Sequence, residues 1–257
     1  MKITFDSNVW RHVCSSAVFP NDNSIEDFIK IKQAITENKI DPFISETVFT
    51  IEAIKRKERK TFLGSRKVKI DTEETEQDDG WLGLTFTLRP QKGIDFSENP
   101  ILKRHFDDAM KLKFKIARLP RIGGLINEEI ERVRFILTGD ELTKYLNKVF
   151  EVGEKIESAG AGIAHIKSIG KKYDPVWFKG LKKAPEQETG NIATSAAEWA
   201  DGDSIAVCIA LGCDFFCTRD EAKSAGEKSV LSPKNIAWLK SDYGLEIISP
   251  EELAKLI

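Results

Sequence analysis

Five acidic residues far apart in the chain carry the chemistry this sequence could do. Asp6 follows the apolar run Lys2-Ile3-Thr4-Phe5, Glu52 sits in the stretch Thr47 to Lys57, and Asp201, Asp203 and Asp220 bracket the apolar segment that runs into Cys217-Thr218-Arg219. Carboxylates brought together form an all-oxygen cage, the donor set that Mg²⁺ and Mn²⁺ prefer. A cation held there neutralises the oxygens of an anionic ester and lowers the pKa of a bound water, which is metal-assisted hydrolysis. Singly, Asp201 and Asp203 have a plainer explanation as acids at the start of a helix, where the dipole favours negative charge. Asp6 and Asp220, each behind a strand-like run, are harder to explain that way.

The elements that must position these acids alternate. Lys2 to Phe5 reads as a strand ending in the turn or cap residues Asp6-Ser7-Asn8. Ser24 to Glu37 places Ile25, Phe28, Ile29, Ile31 and Ile35 at helical spacing, with Ser24 as cap. Asp41 to Ser45 reads as a second strand, and Glu46 to Lys60 as one helix with Glu52 in its middle. From Thr61 to about Asn99 the pattern loosens into an inserted loop or hairpin, with strand-like alternation over Trp81 to Leu88.

Further along, Pro100 to Lys113 reads as helix, Phe114 to Leu119 as strand, and Asn127 to Leu137, Asp140 to Ser158 and Ile163 to Tyr173 as helices. Lys179 to Asn191 is polar and loop-like. Asp203 to Leu211 is a short buried helix and Asp214 to Thr218 a buried strand. A helix opening at Ser232-Pro233, a strand over Gly244 to Ile248 and a helix opening at Ser249-Pro250-Glu251-Glu252 complete the alternation. Strands separated by helices imply a parallel sheet flanked on both faces, and ligands of such sheets bind beyond the carboxyl ends of the strands.

The 257 residues, 41% of them apolar, can bury a sizeable core as one large domain or a smaller one with a long insertion. A net charge of −2 gives no overall basic character, so a nucleic-acid surface must come from local clusters. Two are present: Lys55 to Lys60, and Lys103, Arg104, Lys111, Lys113, Lys115, Arg118 and Arg121. Arg219, beside Asp220, is the best single candidate for a phosphate, and Trp81, Trp177 and Phe178 could stack on unpaired bases. Cys14, Cys208, Cys213 and Cys217 form no CxxC pair and read as reduced core thiols, and His12, His105 and His165 offer no zinc spacing. No run approaches the ~20 apolar residues of a bilayer span and no h-region follows Met1, so the expectation is a cytoplasmic protein without a membrane partner.

With these residues in hand, the chain resembles the PIN-domain ribonuclease family, as a larger member with a long central insertion. Phe5-Asp6-Ser7-Asn8, Ser45 to Glu52 and, above all, Asp201-Gly-Asp203-Ser-Ile-Ala through Leu211-Gly-Cys-Asp-Phe-Phe-Cys-Thr218-Arg219-Asp220 carry the resemblance. It covers residues 1–60 and 195–257 as the catalytic core and leaves 61–194 as a largely helical insertion, of which about 100–123 could belong to the core. The resemblance implies an α/β/α sandwich on a central parallel sheet and a three- or four-acid cluster binding Mg²⁺ or Mn²⁺. It also implies hydrolysis of single-stranded or structured RNA, for which in-line attack by a metal-bound water would leave a 5′-phosphate and a 3′-hydroxyl. Asp6 matches the first acid, Glu52 the second and Asp220 the fourth. Asp201 and Asp203 both remain open for the third. Thr218 is expected to orient Asp220, and Asn8 to steady the Asp6 turn.

An antitoxin-like protein partner and a homodimer are partners the resemblance leaves open, although the chain is longer than toxins of the family. Two other readings compete. One is a noncatalytic PIN-like module that binds nucleic acid or protein. The other, an aspartate-based phosphatase, needs Asp-x-Asp after the first strand, where Asp6-Ser7-Asn8 stands.

Overall fold

The computed structural model describes residues 1–65, 68–76, 82–90, 100–119, 134–220, 226 and 229–257. Its strands are β1 (Lys2–Phe5), β2 (Asp41–Ser45), β3 (Val68–Glu76), β4 (Leu82–Pro90), β5 (Lys115–Ala117), β6 (Arg134–Phe135), β7 (Phe215–Cys217) and β8 (Ile247–Ile248). Six of them form a sheet in the order β6-β5-β2-β1-β7-β8, and every pairing is parallel. The chain steps from β1 outward through β2, β5 and β6, then returns to the other side of β1 with β7 and β8. Strand order therefore reverses at β1, and the crevice beyond the carboxyl ends of β1 and β7 is where such sheets bind ligands.

The described helices are α1 (Ser7–Cys14), α2 (Ile25–Thr36), α3 (Thr47–Thr50), α4 (Arg59–Gly64), α5 (Pro100–Lys111), α6 (Gly139–Ser158), α7 (Ile163–Lys171), α8 (Trp177–Lys183), α9 (Thr189–Ala210), α10 (Pro233–Tyr243) and α11 (Pro250–Leu256). The two-residue period of the strands splits the core across the sheet. Ile3, Phe5, Ile44, Ile116 and Cys217 point into one core with Trp10 of α1, Phe28 of α2, Phe106 of α5 and Leu253 of α11. Phe43, Ala117 and Phe216 point into the other with Val149 and Val152 of α6, Val207 of α9 and Leu239 of α10. Each large apolar side chain so buried contributes roughly 1.5–3 kcal/mol, and the result is an α/β molecule with helices on both faces of a parallel sheet. Local signals agree: Ser249 and Glu252 form a capping box with Pro250 at the first helical position, as that segment predicts.

A third apolar cluster lies apart from the two faces. Ile51, Ile54, Phe62 and Leu63 pack with Ile166, Leu181, Ile192 and Trp199, so α4 and α7 flank the amino-terminal half of α9 and α8 packs across α4 and α7. The stretch read as a loop or hairpin is the antiparallel pair β3–β4, and β5 pairs in parallel with β2. Among the described residues, no helix is long and apolar enough to cross a membrane.

Four expectations need correction. Glu46 to Lys60 is not one helix: α3 ends at Thr50, Lys55 is extended (ψ 134°), and α4 starts at Arg59. The break is stabilised by Arg59, whose guanidinium donates to the carbonyls of Ile54 and Glu52 that a continuing helix would have bonded. Lys179 to Asn191 is not a loop but holds most of α8, a 3₁₀ turn and the start of α9. The short helix at Asp203 is the end of a 22-residue one. Within the expected helix Asn127 to Leu137, Arg134 and Phe135 form an edge strand beside β5, and residues 127–133 lie outside the described residues.

Candidate acidic site at the carboxyl edge of the sheet

Asp6 leaves β1 where its backbone N–H still donates to Cys217 of β7, and it caps α1. Its Oδ1 accepts from the Ser7 amide and its Oδ2 from the Thr218 hydroxyl, both at 2.5 Å. Thr218 also accepts from the Asp220 amide (3.0 Å) and from the Asn8 side chain (3.4 Å), while the Asn8 carbonyl accepts from the Arg219 amide (3.1 Å). The end of β7 is thus sewn to the start of α1. Asn8 steadies this corner as expected, whereas the Thr218 hydroxyl is spent on Asp6 and not on the Asp220 carboxylate.

Glu52 sits in the turn after α3, not in the middle of a helix. Its Oε1 accepts from the Ser7 hydroxyl at 3.0 Å, so Ser7 joins the first acid to the second. Asp201 and Asp203 lie deep inside α9, which removes helix capping as their explanation. At ~100° per residue the two point to opposite sides of the helix. Asp201 feels the charges of Asp6, Glu52, Glu198 and Asp220. Asp203 is buried with its Oδ2 3.5 Å from the Thr47 hydroxyl, and its charge reaches Tyr145 on α6.

The electrostatics follow from this crowding. Burial, and then its four acidic neighbours, hold the Asp201 carboxyl well above the carboxylate range. Glu52 is pushed up to about 7 by burial and by Asp6, against the Ser7 hydrogen bond and the cations Arg59 and Arg11. Asp6 is raised by burial and, more weakly, by Asp220, against its bonds from Thr218 and Ser7.

Sequence reasoning missed one member. Glu198 is three residues before Asp201 and so on the same side of α9. It is 6% exposed and raised by burial and by Asp220, against bonds from Ser229 and Val230. Its Oε2 is buried without a hydrogen-bond partner among the described residues. Drawing the helix back past Asp201 would have put Glu198 on the face of Asp201, but its burial there is a property of the fold.

The basic and aromatic candidates fall elsewhere. Arg219 is paired with Asp22 at 2.9 and 3.3 Å and lies over the Phe28 ring, so it is not free for a phosphate. Trp177 packs edge-on against Trp199 and Phe178, which takes it out of base stacking; Phe178 is 36% exposed. Lys115 pairs with Asp41 and Lys111 with Asp108, while Lys113 and Arg118 are exposed. Trp81, Arg121 and the side chains of Lys103 and Arg104 lie outside the described residues.

Among the described residues, no three His, Cys, Asp or Glu side chains already converge in metal-holding geometry. The donor set nevertheless suits Mg²⁺ or Mn²⁺. It is all oxygen, its charges repel one another, and the Glu198 Oε2 is an orphaned buried acceptor. Mg²⁺ keeps several waters and uses one or two carboxylates, so a closed cage is not required. Compared with known protein families, with curated proteins and with solved structures, the chain matches none.

Proposed function

We propose that this chain is a Mg²⁺- or Mn²⁺-dependent endoribonuclease of the PIN-domain type, with Asp6, Glu52, Asp201 and Asp220 as its acids and Glu198 as a fifth. The observation that carries the reading is the crowding of four of these carboxylates around Asp201, beside the point where strand order reverses. The parallel sheet with helices on both faces supports a PIN-like three-layer sandwich, and the position of Asp201 favours it over Asp203 as third acid.

When bound, the cation supplies charge neutralisation at the phosphodiester and acidifies water. The remaining work falls to the chain. Asp6, fixed by Thr218 and the Ser7 amide, presents one acid in a single orientation. Glu52, held by the Ser7 hydroxyl beside Asp6, presents the second acid next to the first. Asp201 and Glu198 share the rigid face of α9, so their spacing is set by the helix.

The test is cleavage of end-labelled single-stranded RNA with Mn²⁺ or Mg²⁺, comparing wild type with Asp6→Ala and Asp220→Ala. Metal-dependent cleavage leaving 5′-phosphate ends, lost in both variants, supports the proposal. A 2′,3′-cyclic phosphate product would contradict it, because that product uses the RNA 2′-hydroxyl as nucleophile. The open geometry of the acids favours one second reading, a noncatalytic PIN-like module that binds nucleic acid or protein. Absence of both cleavage and metal binding would select it.

A further inference from the structure

Helices α7 and α8 and the turn that leads into α4 carry a concentration of positive charge. Residues 167–183 contain six lysines and one aspartate, and residues 55–60 contain five basic residues and one glutamate, in a chain of net charge −2. The fold packs these two segments together. Gly64 at the end of α4 abuts the Lys182 backbone, where a Cβ would stand 2.8 Å from the amide nitrogen. α7 and α8 cross at Gly170 and Gly180, where an added Cβ would meet backbone carbonyl oxygens at 2.0 and 1.9 Å. Backbone contact at both crossings makes the lysine-bearing helices one rigid layer.

Several of these charges are already paired: Lys167 with Glu157, Lys183 with Asp174 and Lys60 with Glu186. Lys57, Lys171 and Lys182 are exposed and have no acidic partner among the described residues. Lys167, Ser168, Lys171 and Lys172 line an open groove of about 480 Å³ together with Glu157, and Lys172 lies 3.9 Å from Glu188. The layer reaches the acidic site. Arg56 donates to Thr194 and Arg59 to the Ala193 carbonyl, docking the start of α4 on α9 shortly before Glu198 and Asp201. Arg59 itself feels the charges of Glu52 and Asp201, and on the far side of α9 Trp199 packs on Trp177 at the first residue of α8, beside the exposed Phe178 ring.

We infer that the face formed by α4, α7 and α8 binds the backbone of single-stranded nucleic acid and leads it to the acidic site. Free lysines on a rigid layer suit regularly spaced phosphates, and an exposed ring on the same layer suits an unpaired base. An acidic protein would use the charge but not the ring. The destination of the strand rests on the proposed nuclease function; the binding does not.

The test is fluorescence anisotropy of labelled oligouridine with the full chain in EDTA at rising KCl. The wild type is compared with Lys57→Glu/Lys171→Glu/Lys182→Glu and with a charge-matched control, Lys144→Glu/Lys234→Glu/Lys255→Glu, on exposed positions elsewhere. The inference expects binding that the first variant weakens by about tenfold or more, with the salt slope lowered by about 2, and that the control leaves within about threefold. Phe178→Ala should weaken oligouridine but not duplex RNA. Equal binding by wild type and the first variant, an equal loss in the control, or no wild-type binding would overturn it. The lysines are exposed, and a Lys→Gln version of the triple variant provides the same readout should the reversal lower stability. Mn²⁺-dependent hydrolysis of bis(p-nitrophenyl) phosphate, too small to need the lysine face, separates the two claims. The first variant should retain it, and its absence in wild type would count against the nuclease and not against the binding face.

Discussion

Asp201 and Asp203 stand two residues apart on one helix, about 200° around its axis, and this separates their roles. Asp201 faces four other acids, whereas Asp203 faces Thr47 and Tyr145. The account expects Asp201→Asn to take RNA cleavage to background while Asp203→Asn leaves it within about tenfold, the scale of a supporting group. Equal losses, read by initial cleavage rates, would contradict the assignment. Thr218 acts through Asp6, since its hydroxyl is the bond that fixes the Asp6 Oδ2. Thr218→Val should therefore cost about 10–100-fold in cleavage rate, whereas Thr218→Ser should restore most of it. From sequence, Asp6 and Asp220 stand out as acids behind strand-like runs, and Glu52 enters through the family resemblance. Glu198 does not stand out, because nothing in Glu-Trp-Ala-Asp separates a site acid from a solvated one until α9 is known to be buried on that side.

Strands were easier to read than helices because their pattern is imprinted locally. Buried on both faces, the strands are short apolar runs, with Ile3, Phe5 and Ile44 facing one core and Phe43 the other. The long helix α9 displays nothing comparable. It is buried on most sides by α4, α6, α7 and the sheet, so its apolar residues show no clear helical period, and Gly190, Asn191 and Gly202 are poor helix formers. Tertiary packing decides its length. Where glycine is required the reason is likewise tertiary, as at the α7–α8 crossing. Gly170→Ala must push the Trp177 carbonyl away and should destabilise the chain by about 1–3 kcal/mol or more, as overpacking does. Urea unfolding would measure this, and an unchanged midpoint would show that the two helices are not in backbone contact.

For the whole molecule, the crowded acids couple stability to pH and to metal. Glu52 and Asp201 have native pKa values above their unfolded ones, so the native state holds more protons wherever pH lies between the two. For Glu52 the stabilisation is complete below its unfolded value near 4.5 and is lost as pH rises through about 7, and for Asp201 it is likewise lost as pH rises. Without divalent metal, Tm should fall between about pH 5 and 7.5, with an associated loss on the order of 2 kcal/mol, and Asp201→Asn should flatten the slope. A metal-free Tm that rises over this interval would show that the carboxyls are not crowded as described. Saturating Mn²⁺ should raise Tm most at the upper end, where the acids are charged and repel one another.

The measurement that tests the central claim most directly is calorimetric titration of Mn²⁺ into the metal-free chain at pH 7, in wild type, Asp201→Asn and Asp203→Asn. The account expects saturable binding with proton release in wild type, its loss in Asp201→Asn and its retention in Asp203→Asn. Saturable binding that survives Asp201→Asn, or no binding in wild type, would contradict the reading of this acidic edge as a divalent-cation site.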